Sequence, residues 1–501
     1  MWLIYLVVII IFLMVILYKY SMRNYNYWEL QGIPTARGTV PLLGHMLDIF
    51  LLRKSVITYL QEVYESHPNA SMVGLYKMRK PILLVKHPEL VKTIIHTEFM
   101  SFSEHVPLDV KTDPLMASDA FFSSGERWRH VRYVITKAFS TKKLKNITEI
   151  IREECDKFAK FIDKKLDGKE VVEVNAKNLF SRLTTQVSAN AVFGIDGEAL
   201  VDKDPPESFI SMMDGVFEVK TFTGIRQNII LLLPMLSKFF QVSFAPSWVN
   251  RTFIKIANDI REFRKSREIV RDDFMQHAID YERDGKWGEG MINCHVFSFF
   301  AEGYETSSLT LSATAYLLSK HPDIQERARD EVVALLDKYE GICYEAVNEM
   351  TYLDQVVHEA LRLFSPAGSM QKICTKPITL QGPDGLTCSL KPGDEVFVSI
   401  MGIHKDPEIW KNPNEFNPDR FAKDSEESRS KYVYLSFGEG PRKCPGMRMG
   451  MIQVKSAIAV ILKNYILEPS SKMIEPVQID PKYFMISPVR GFWIKLRHLH
   501  T

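Results

Sequence analysis

A ten-residue segment near the carboxyl end, "FGEGPRKCPG" at residues 437–446, constrains the fold of this chain more than any other segment. It contains three glycines and two prolines. Glycine accepts backbone conformations at positive φ, and proline fixes φ and removes a donor, so the segment predicts a rigid turn. The only soft metal ligand on this turn is Cys444.

The spacing of the cysteines limits the kinds of metal site that the chain can build. The other five lie far from Cys444 in the sequence, at Cys155, Cys294, Cys343, Cys374 and Cys388. No CxxC or CxxCH pair occurs, which disfavours zinc, iron–sulfur and covalently attached c-type haem sites. A lone thiolate can be the single protein ligand of a haem iron, and a buried structural thiol is the alternative.

The amino terminus predicts a membrane anchor. Residues from Trp2 to Tyr18 carry no charge and would span about 25 Å as a helix, enough to cross a bilayer. No basic residue precedes the run and no small-residue cleavage site follows it, which favours an anchor over a cleaved signal peptide. Lys19 and Arg23 follow, so we expect the rest of the chain on the cytoplasmic side, where unpaired cysteines stay reduced.

The remaining sequence indicates one large domain. We expect an anchor at residues 1–20, a hinge stiffened by Pro34 and Pro41 at 21–45, and a single domain at 46–501. No linker, low-complexity tract or repeat is visible within that domain. The chain is 501 residues long with a net charge of +2, so nucleic acid is not an indicated partner.

Hydrophobic periodicity predicts a mainly α protein with small β-sheets, an α+β fold. Apolar residues at three- and four-residue spacing predict helices at 145–167, 250–282, 289–319, 322–339, 351–363 and 446–466. Shorter strand patterns occur at 71–78, 80–87 and 395–400, and we expect a closing pair of strands within 482–497. These strands predict a small sheet beside a helical body.

An apolar stretch at residues 229–248 is interrupted by Pro234 and Pro246 and is rich in aromatic residues. Ordinary core is one interpretation. A loop that dips into a membrane is the other, with the wall of a ligand pocket as a further role. The prolines and Lys238 exclude a second transmembrane helix.

Three further charged residues stand in a fixed order before the cysteine loop. Glu359 and Arg362 are three residues apart on a predicted helix and share one face, and "FNPDRF" supplies Arg420. With "WRHVR", "EGYETSS" and the cysteine loop, this order resembles the cytochrome P-450 superfamily of haem-thiolate monooxygenases over essentially the whole chain. The pattern is most similar to the animal microsomal type, in the clan of insect detoxification and vertebrate drug-oxidising members.

The resemblance implies haem b, an iron protoporphyrin IX, as the cofactor. It makes Cys444 the proximal iron ligand and places Phe437 beside the sulfur. Trp128, Arg132 and Arg442 would bind the haem propionates, and Glu359, Arg362 and Arg420 would form a structural triad on the proximal side. Lys372 stands where the family usually has a propionate-binding arginine, and lysine supplies the charge without the bidentate fork.

Splitting dioxygen consumes two protons, and "EGYET" supplies an acid, Glu305, and a hydroxyl, Thr306, for their delivery. The alternative for Thr306 is a bond back to the carbonyl four residues earlier. Glu302 precedes Thr306 by four residues, so both should face the haem. In many members of the fatty-acid-oxidising branch of the superfamily the matching glutamate is esterified to a haem methyl. The same ester at Glu302 is one hypothesis here, and a free carboxyl that binds water or a polar substrate is the alternative.

No nucleotide-binding motif is present, so electrons must come from outside the chain. The resemblance implies insertion of one oxygen atom of O2 into a hydrophobic small molecule, with electrons from NADPH through a flavoprotein reductase and cytochrome b5 as an occasional second donor. It also implies attachment to the endoplasmic reticulum membrane. A haem-thiolate isomerase or dehydratase and a haem-binding sensor or carrier are the rival functions.

Overall fold

The computed structural model describes residues 1–425 and 430–499, and helices form most of it. The helices are α1 (Trp2–Met22), α2 (Tyr27–Leu30), α3 (Leu47–Phe50), α4 (Val56–Glu65), α5 (Pro88–Lys92), α6 (Gly125–Ala138), α7 (Thr141–Leu166), α8 (Ala176–Phe193), α9 (Phe209–Phe217), α10 (Thr221–Leu232), α11 (Pro234–Phe239), α12 (Ser247–Ser266), α13 (Phe274–Arg283), α14 (Glu289–Lys320), α15 (Pro322–Lys338), α16 (Tyr344–Glu349), α17 (Thr351–Leu363), α18 (Ile400–His404) and α19 (Met447–Asn464).

The strands form three small sheets within the described residues. They are β1 (Met72–Lys77), β2 (Lys80–Val85), β3 (Val171–Asn175), β4 (Ser369–Ile373), β5 (Ile378–Gln381), β6 (Thr387–Leu390), β7 (Glu395–Ser399), β8 (Tyr465–Pro469) and β9 (Trp493–His498). The sheet orders are β1-β2-β7-β4, β3-β9-β8 and β5-β6. Only the β2–β7 pair is parallel among these pairings. The mainly α fold with small sheets is therefore confirmed.

The long helix α14 runs through the helical body and organises it. At 1.5 Å per residue its 32 residues span about 48 Å. It packs against α8, α17, α19 and α13, and apolar side chains of all these helices join one hydrophobic core. The four-stranded sheet has a second core of its own, in which Trp28 and Trp410 are nearly inaccessible. The cysteine loop ends immediately before α19, at Gly446.

The predicted helix at 250–282 is two helices, so that prediction is wrong at 267–273. Glu268 has φ of +53°, a left-handed conformation that does not continue an α-helix. Asp273 then caps α13 by accepting a hydrogen bond from the backbone N–H of Gln276. The same carboxylate binds the guanidinium of Arg264 at 2.8 and 2.6 Å, which ties the two helices together.

The predicted closing pair of strands within 482–497 is also wrong. Only β9 forms there, and its partners are the distant strands β8 and β3. Residues before β9 make a single bridge, between Ile479 and Pro488. Two backbone hydrogen bonds flank that bridge, from Asp480 to Ser487 and from Val489 to Gln478, and the pairing extends no further in the described part of the chain. The pattern of side chains predicted a strand correctly but did not identify its partners.

The region from α1 to α3 contains both the anchor candidate and the connector. Among the described residues, α1 is the one helix that is long and apolar enough to cross a membrane, and its residues from Trp2 to Tyr18 are exposed. Its last turn contacts the rest of the protein, because Tyr20 stacks on the guanidinium of Arg79 and Ser21 is buried. The connector packs onto β1, because Trp28 donates from Nε1 to the carbonyl of Leu75 at 2.9 Å. A Cβ on Gly74 would overlap the Trp28 ring, so this close contact requires glycine.

The segment at residues 229–248 is exposed in its middle and buried at its ends, where Ile230, Phe244 and Ala245 join the main core. Helix α11 has no buried residue, and Met235, Phe239 and Phe240 are 84, 77 and 67% accessible. Phe222 at the start of α10 is also 76% accessible. Contiguous exposed apolar groups of this kind are typical of surfaces that contact a membrane or another apolar partner. We treat this surface, residues 222–240, as a membrane-contact candidate.

Candidate active site

The cysteine loop has the rigid geometry that its composition predicts. Gly438 and Gly440 have φ of +65° and +77°, and a Cβ on Gly440 would overlap the carbonyl oxygen of Ile95. The backbone N–H of Cys444 donates to the carbonyl of Phe437 at 2.8 Å and closes the turn. Glycine is therefore required here both by conformation and by the close approach of another backbone segment.

The thiol of Cys444 faces an interior space rather than bulk solvent. It is accessible, yet burial raises its pKa to about 11, and the carboxylate of Glu302 adds to that rise. The backbone N–H groups of Gly446 and Met447 and the guanidinium of Arg132 act in the opposite direction. These donors would stabilise a thiolate once a metal ion displaced the thiol proton, because a metal ligand must be deprotonated.

Glu302 and Thr306 line the same interior space from helix α14. Both are accessible and stand one turn apart on one face of the helix, and burial raises the pKa of the Glu302 carboxyl. The Thr306 hydroxyl donates to the backbone carbonyl of Glu302 at 2.6 Å, as the alternative interpretation of this residue expects. The hydroxyl of Ser298 donates to Glu302 Oε1 at 2.8 Å, so the carboxyl is held by one neighbour.

Glu305 points away from that space. It is 1% accessible and binds the ammonium of Lys177 at 2.8 Å and the hydroxyl of Tyr483 at 2.5 Å. Adjacent residues of an α-helix point about 100° apart, so Glu305 and Thr306 lie on different faces. The structure therefore places the two residues of the predicted proton-delivery pair in different surroundings, with Glu305 at the junction of α8, α14 and the segment before β9.

Arg442 and Trp128 form one side of the cation cluster near the loop. The Arg442 guanidinium lies 4.6 Å from the centre of the Trp128 ring. It donates to the carbonyls of Ala120, Phe121 and Ser123 at 3.1, 3.3 and 2.8 Å. Its Nε has no hydrogen-bond partner within the described part of the chain. Burial lowers the pKa of this guanidinium to about 10.

Lys372 supplies a second cation to this cluster. Its Nζ lies 2.8 Å from Nε2 of His105, and burial together with Arg442 lowers its pKa to about 7. Burial and both cations hold the pKa of His105 well below its usual value, so His105 is the neutral acceptor. Burial likewise lowers the pKa of Arg132, and Cys444 opposes that shift. No carboxylate of residues 1–425 or 430–499 forms an ion pair with Arg132, Lys372 or Arg442.

This donor set fits a haem. Buried cations without carboxylate partners are costly, and the two propionates of a haem would offset that cost. A single thiol projects from a loop whose glycines allow close approach, and the opposite wall carries a hydroxyl and a carboxyl. No cluster of three or more His, Cys, Asp or Glu side chains that could hold a bare metal ion occurs among the described residues.

The predicted structural triad is assembled in the protein interior. Glu359 binds Arg362 through both oxygens, at 2.7 and 2.8 Å, and its Oε1 lies 3.3 Å from Nε of Arg420. The Arg362 guanidinium also donates to the carbonyl of His404 at 2.7 Å. His404 Nε2 accepts from the backbone N–H of Leu435, two residues before the cysteine loop. The triad therefore holds the entry to the loop in place.

Phe437 begins the loop, and its carbonyl accepts a hydrogen bond from the N–H of Cys444; its place beside the sulfur stays a prediction. Three residues that the sequence did not single out join the site. They are Lys177 beside Glu305, His105 beside Lys372, and Asp119, which accepts from the N–H groups of Phe121 and Phe122 at 2.8 and 2.7 Å. Burial and Glu302 raise the pKa of Asp119 well above its usual value. None of them lies in a motif, so no sequence signal marks them.

Comparison with known proteins agrees with this geometry. The Cytochrome P450 family model matches residues 34–494, and the chain belongs to that family. It is 29% identical to the probable cytochrome P450 28d1 of Drosophila melanogaster, covering 96% of each chain. It is 30% identical to cytochrome P450 9e2 of Blattella germanica over 97% of this chain and 96% of that protein. It is 29% identical to cytochrome P450 6B7 of Helicoverpa armigera over 99% of both.

The family identifies the reaction class. The protein is a haem-thiolate monooxygenase that resembles insect detoxification enzymes, and the family implies a haem iron, a redox partner and a hydrophobic substrate. The predictions of family, fold and enzyme class are thereby confirmed. The roles of individual residues stay predictions, although the structure brings most of the predicted residues together around Cys444.

Proposed function

We propose that this protein oxidises an apolar organic molecule, a xenobiotic or an endogenous lipid or terpenoid, with O2 and with electrons from NADPH that reach it through a separate flavoprotein reductase. The observation that carries the proposal is the arrangement around Cys444. Its thiol and the accessible face of α14 are close enough that Glu302 raises the thiol pKa. When bound, haem supplies oxygen activation, and its thiolate ligand favours O–O cleavage.

The residues around this space have separate tasks in the proposal. Cys444 is the iron ligand, and Arg132, Lys372, Arg442 and Trp128 hold the propionates by charge and hydrogen bonding. The Thr306 hydroxyl donates its hydrogen to the Glu302 carbonyl, so its oxygen is free to accept a hydrogen bond from a water molecule that delivers protons.

Glu302 binds water, a polar substrate group or, through an ester, the haem itself. Denaturing chromatography after incubation with reductase and NADPH tests the ester. Haem that stays on the wild-type polypeptide and separates from Glu302→Ala supports it, and complete separation from the wild type contradicts it.

Basic residues of α6 and α7 support docking of an acidic reductase domain. Arg127 and Lys142 are exposed and have no ion-pair partner in the part of the chain that the structure describes. Lys137 is exposed on the same helix as Arg127. Reversal of such rim charges slows association and changes its salt dependence. We expect the double variant Arg127→Glu, Lys142→Glu to raise the KM for reductase, whereas Lys203→Glu on another exposed segment leaves it unchanged.

The proposed location is the endoplasmic reticulum membrane with the catalytic domain on the cytoplasmic side. Helix α1 is the anchor, residues 21–45 are the connector and residues 46–501 are the haem domain. The exposed apolar surface at residues 222–240 supports a second, shallow contact with the bilayer. Protease protection of tagged termini in microsomes tests this orientation.

The central experiment reconstitutes the purified protein with haem, reductase and NADPH. Candidate substrates are screened first by the shift of the haem absorption on binding, over fatty acids, steroids, terpenoids and plant toxins. The proposal expects NADPH consumption together with a product that contains one atom from labelled O2. Product without NADPH would indicate an isomerase or dehydratase, and haem binding without any product would indicate a sensor or carrier.

The iron ligand has a separate test. Cys444→Ala removes the thiolate, so the reduced carbon monoxide complex should lose its red-shifted Soret band. The control is Cys343→Ala, since Cys343 is partly exposed and only caps α16. A Cys444→Ala protein that kept the red-shifted band would overturn the assignment of the ligand.

A further inference from the structure

Two cavities lie side by side between the end of α17, helix α18 and the segment that follows it. Each has a volume of about 330 Å³. They share four lining residues, Leu363, Phe364, Lys405 and Asn414, so the same side chains form the wall between them. None of the residues that line either cavity belongs to the set around Cys444 described above. The pair is therefore a separate feature of the fold.

Lys405 is the unusual residue of this wall. Its backbone follows α18, and its side chain is only partly accessible. Within residues 1–425 and 430–499 its ammonium has no ion-pair or hydrogen-bond partner; the acid that acts on it is Glu65, at longer range. Burial lowers the pKa of Lys405. A half-buried ammonium without a direct partner is costly, unless a ligand supplies the anion.

Other charged groups at or near the cavities already have hydrogen-bond or ion-pair partners. Glu65, which lies near Lys405 but lines neither cavity, accepts a hydrogen bond from the neutral side-chain amide of Gln61 at 2.7 Å. Lys320 binds Glu475 at 2.6 Å, and Glu415 lies 3.9 Å from Arg420. The ring of His321 bonds the carbonyl of Leu317 at 2.8 Å. Lys405 is thus the cation of this region that is left for a ligand, and the exposed amide of Asn414 beside it offers a further donor.

One of the two cavities, which is also lined by residues of α4, has mainly apolar side chains in its wall. Ile57, Met401 and Ile486 form a small hydrophobic cluster against Phe364 and Ile479, and all five line this cavity. Burial of alkyl groups against such walls is favourable at about 25 cal/mol per Å². An apolar chain that ends in one negative charge therefore matches both parts of the site, the cluster by its tail and Lys405 by its head group.

We propose that these cavities form a second binding site, for a monocarboxylate with an apolar chain, in which Lys405 binds the carboxylate and the cluster of Ile57, Met401 and Ile486 holds the chain. The site is distinct from the substrate space at Cys444, since the residues that line the cavities are not those around the thiol. A ligand in this site would lie away from Cys444 and would not be oxidised there.

The test uses full-length haem-loaded protein in nanodiscs and a photoreactive decanoate that carries a diazirine on its chain. The haem space is first filled with an azole that ligates the iron, which is verified by the absorption shift. The proposal expects labelling of peptides that contain residues 57–61, 401–405 or 476–486, with the azole in place. Excess decanoate should remove the label, and excess decanol should compete about tenfold less well, since a charge-assisted bond is lost.

Variants identify the carboxylate partner. Lys405→Met should reduce labelling about tenfold at limiting probe, and Lys405→Arg should retain most of it. The control Lys411→Met removes a nearby exposed lysine and should change nothing. The carbon monoxide spectrum of each variant verifies its fold. Two results would overturn the proposal while leaving the monooxygenase assignment intact. The first is labelling that is confined to the haem space and abolished by the azole. The second is labelling at residues 401–405 that is as strong in Lys405→Met as in the wild type.

Discussion

Replacing Lys177 by methionine would isolate the buried acid Glu305, which the sequence associated with proton delivery. Lys177 binds Glu305 Oε2 at 2.8 Å, and Tyr483 donates to Oε1 at 2.5 Å. Glu305 has 1% and Lys177 has 21% of its side chain accessible. Methionine keeps much of the length of lysine but carries no charge, so the substitution leaves a buried carboxylate with one neutral donor.

The magnitude follows from burial. Breaking a fully buried ion pair costs about 3–5 kcal/mol, and surface pairs cost about 0–1 kcal/mol. Because Lys177 is partly accessible and Tyr483 remains, we expect a loss of about 2–3 kcal/mol in the free energy of unfolding. The unfolding entropy of a domain of this size is about 1 kcal/mol per degree, so the unfolding temperature should fall by about 2–3 °C.

The assay is a double-mutant cycle on the haem-loaded protein, read by tryptophan fluorescence at a fixed heating rate. The single variant Glu305→Gln and the double variant Lys177→Met, Glu305→Gln complete the cycle. We expect an interaction free energy between the two side chains of about 1.5–2 kcal/mol. Lys160→Met, an exposed lysine of α7, is the control and should not shift the unfolding temperature. The reasoning would be refuted if Lys177→Met unfolded at the same temperature as the wild type and the interaction free energy from the cycle were near zero.

Four further predictions address other parts of the molecule. Thr306→Ala should retain haem but divert electrons to hydrogen peroxide about tenfold more, because the hydroxyl alone is lost; unchanged product per NADPH would contradict this. Gly440→Ala should lose haem, since φ of +77° and a backbone overlap oppose a Cβ, whereas Gly446→Ala, with φ of −85°, should retain it. Burial raises the pKa of Asp113 in the folded protein from 3.8 to about 6, so its contribution to the free energy of unfolding falls as pH rises from about 4 to 6. In urea titrations at different pH, Asp113→Asn should abolish this pH-dependent change, which is about 3 kcal/mol at most. A protein without residues 1–22 should still bind vesicles through its apolar surface, and Phe239→Asp should weaken that binding in a flotation assay.

The sequence predicted correctly those features that depend on local backbone geometry. Glycines at 438 and 440 and prolines at 441 and 445 imply a rigid loop around Cys444 from backbone sterics alone, and the structure has that loop. The i, i+3 spacing of Glu359 and Arg362 likewise places the two side chains on one helix face, where they bind each other. Such features depend on a few neighbouring residues, so they can be read without knowing what packs around them.

The partners of the buried charges were decided by tertiary structure. Lys177 meets Glu305 across 128 positions, and Lys372 meets His105 across 267. Their pairing depends on which faces of α8, α14 and β4 turn inward, and no local pattern specifies that. The same reason explains β9, whose composition predicted a strand but whose partners β3 and β8 come from distant segments. Covalent geometry and helical periodicity depend on a few neighbouring residues and can be predicted from the sequence. Long-range contacts form only when the whole core packs, so local sequence does not specify them.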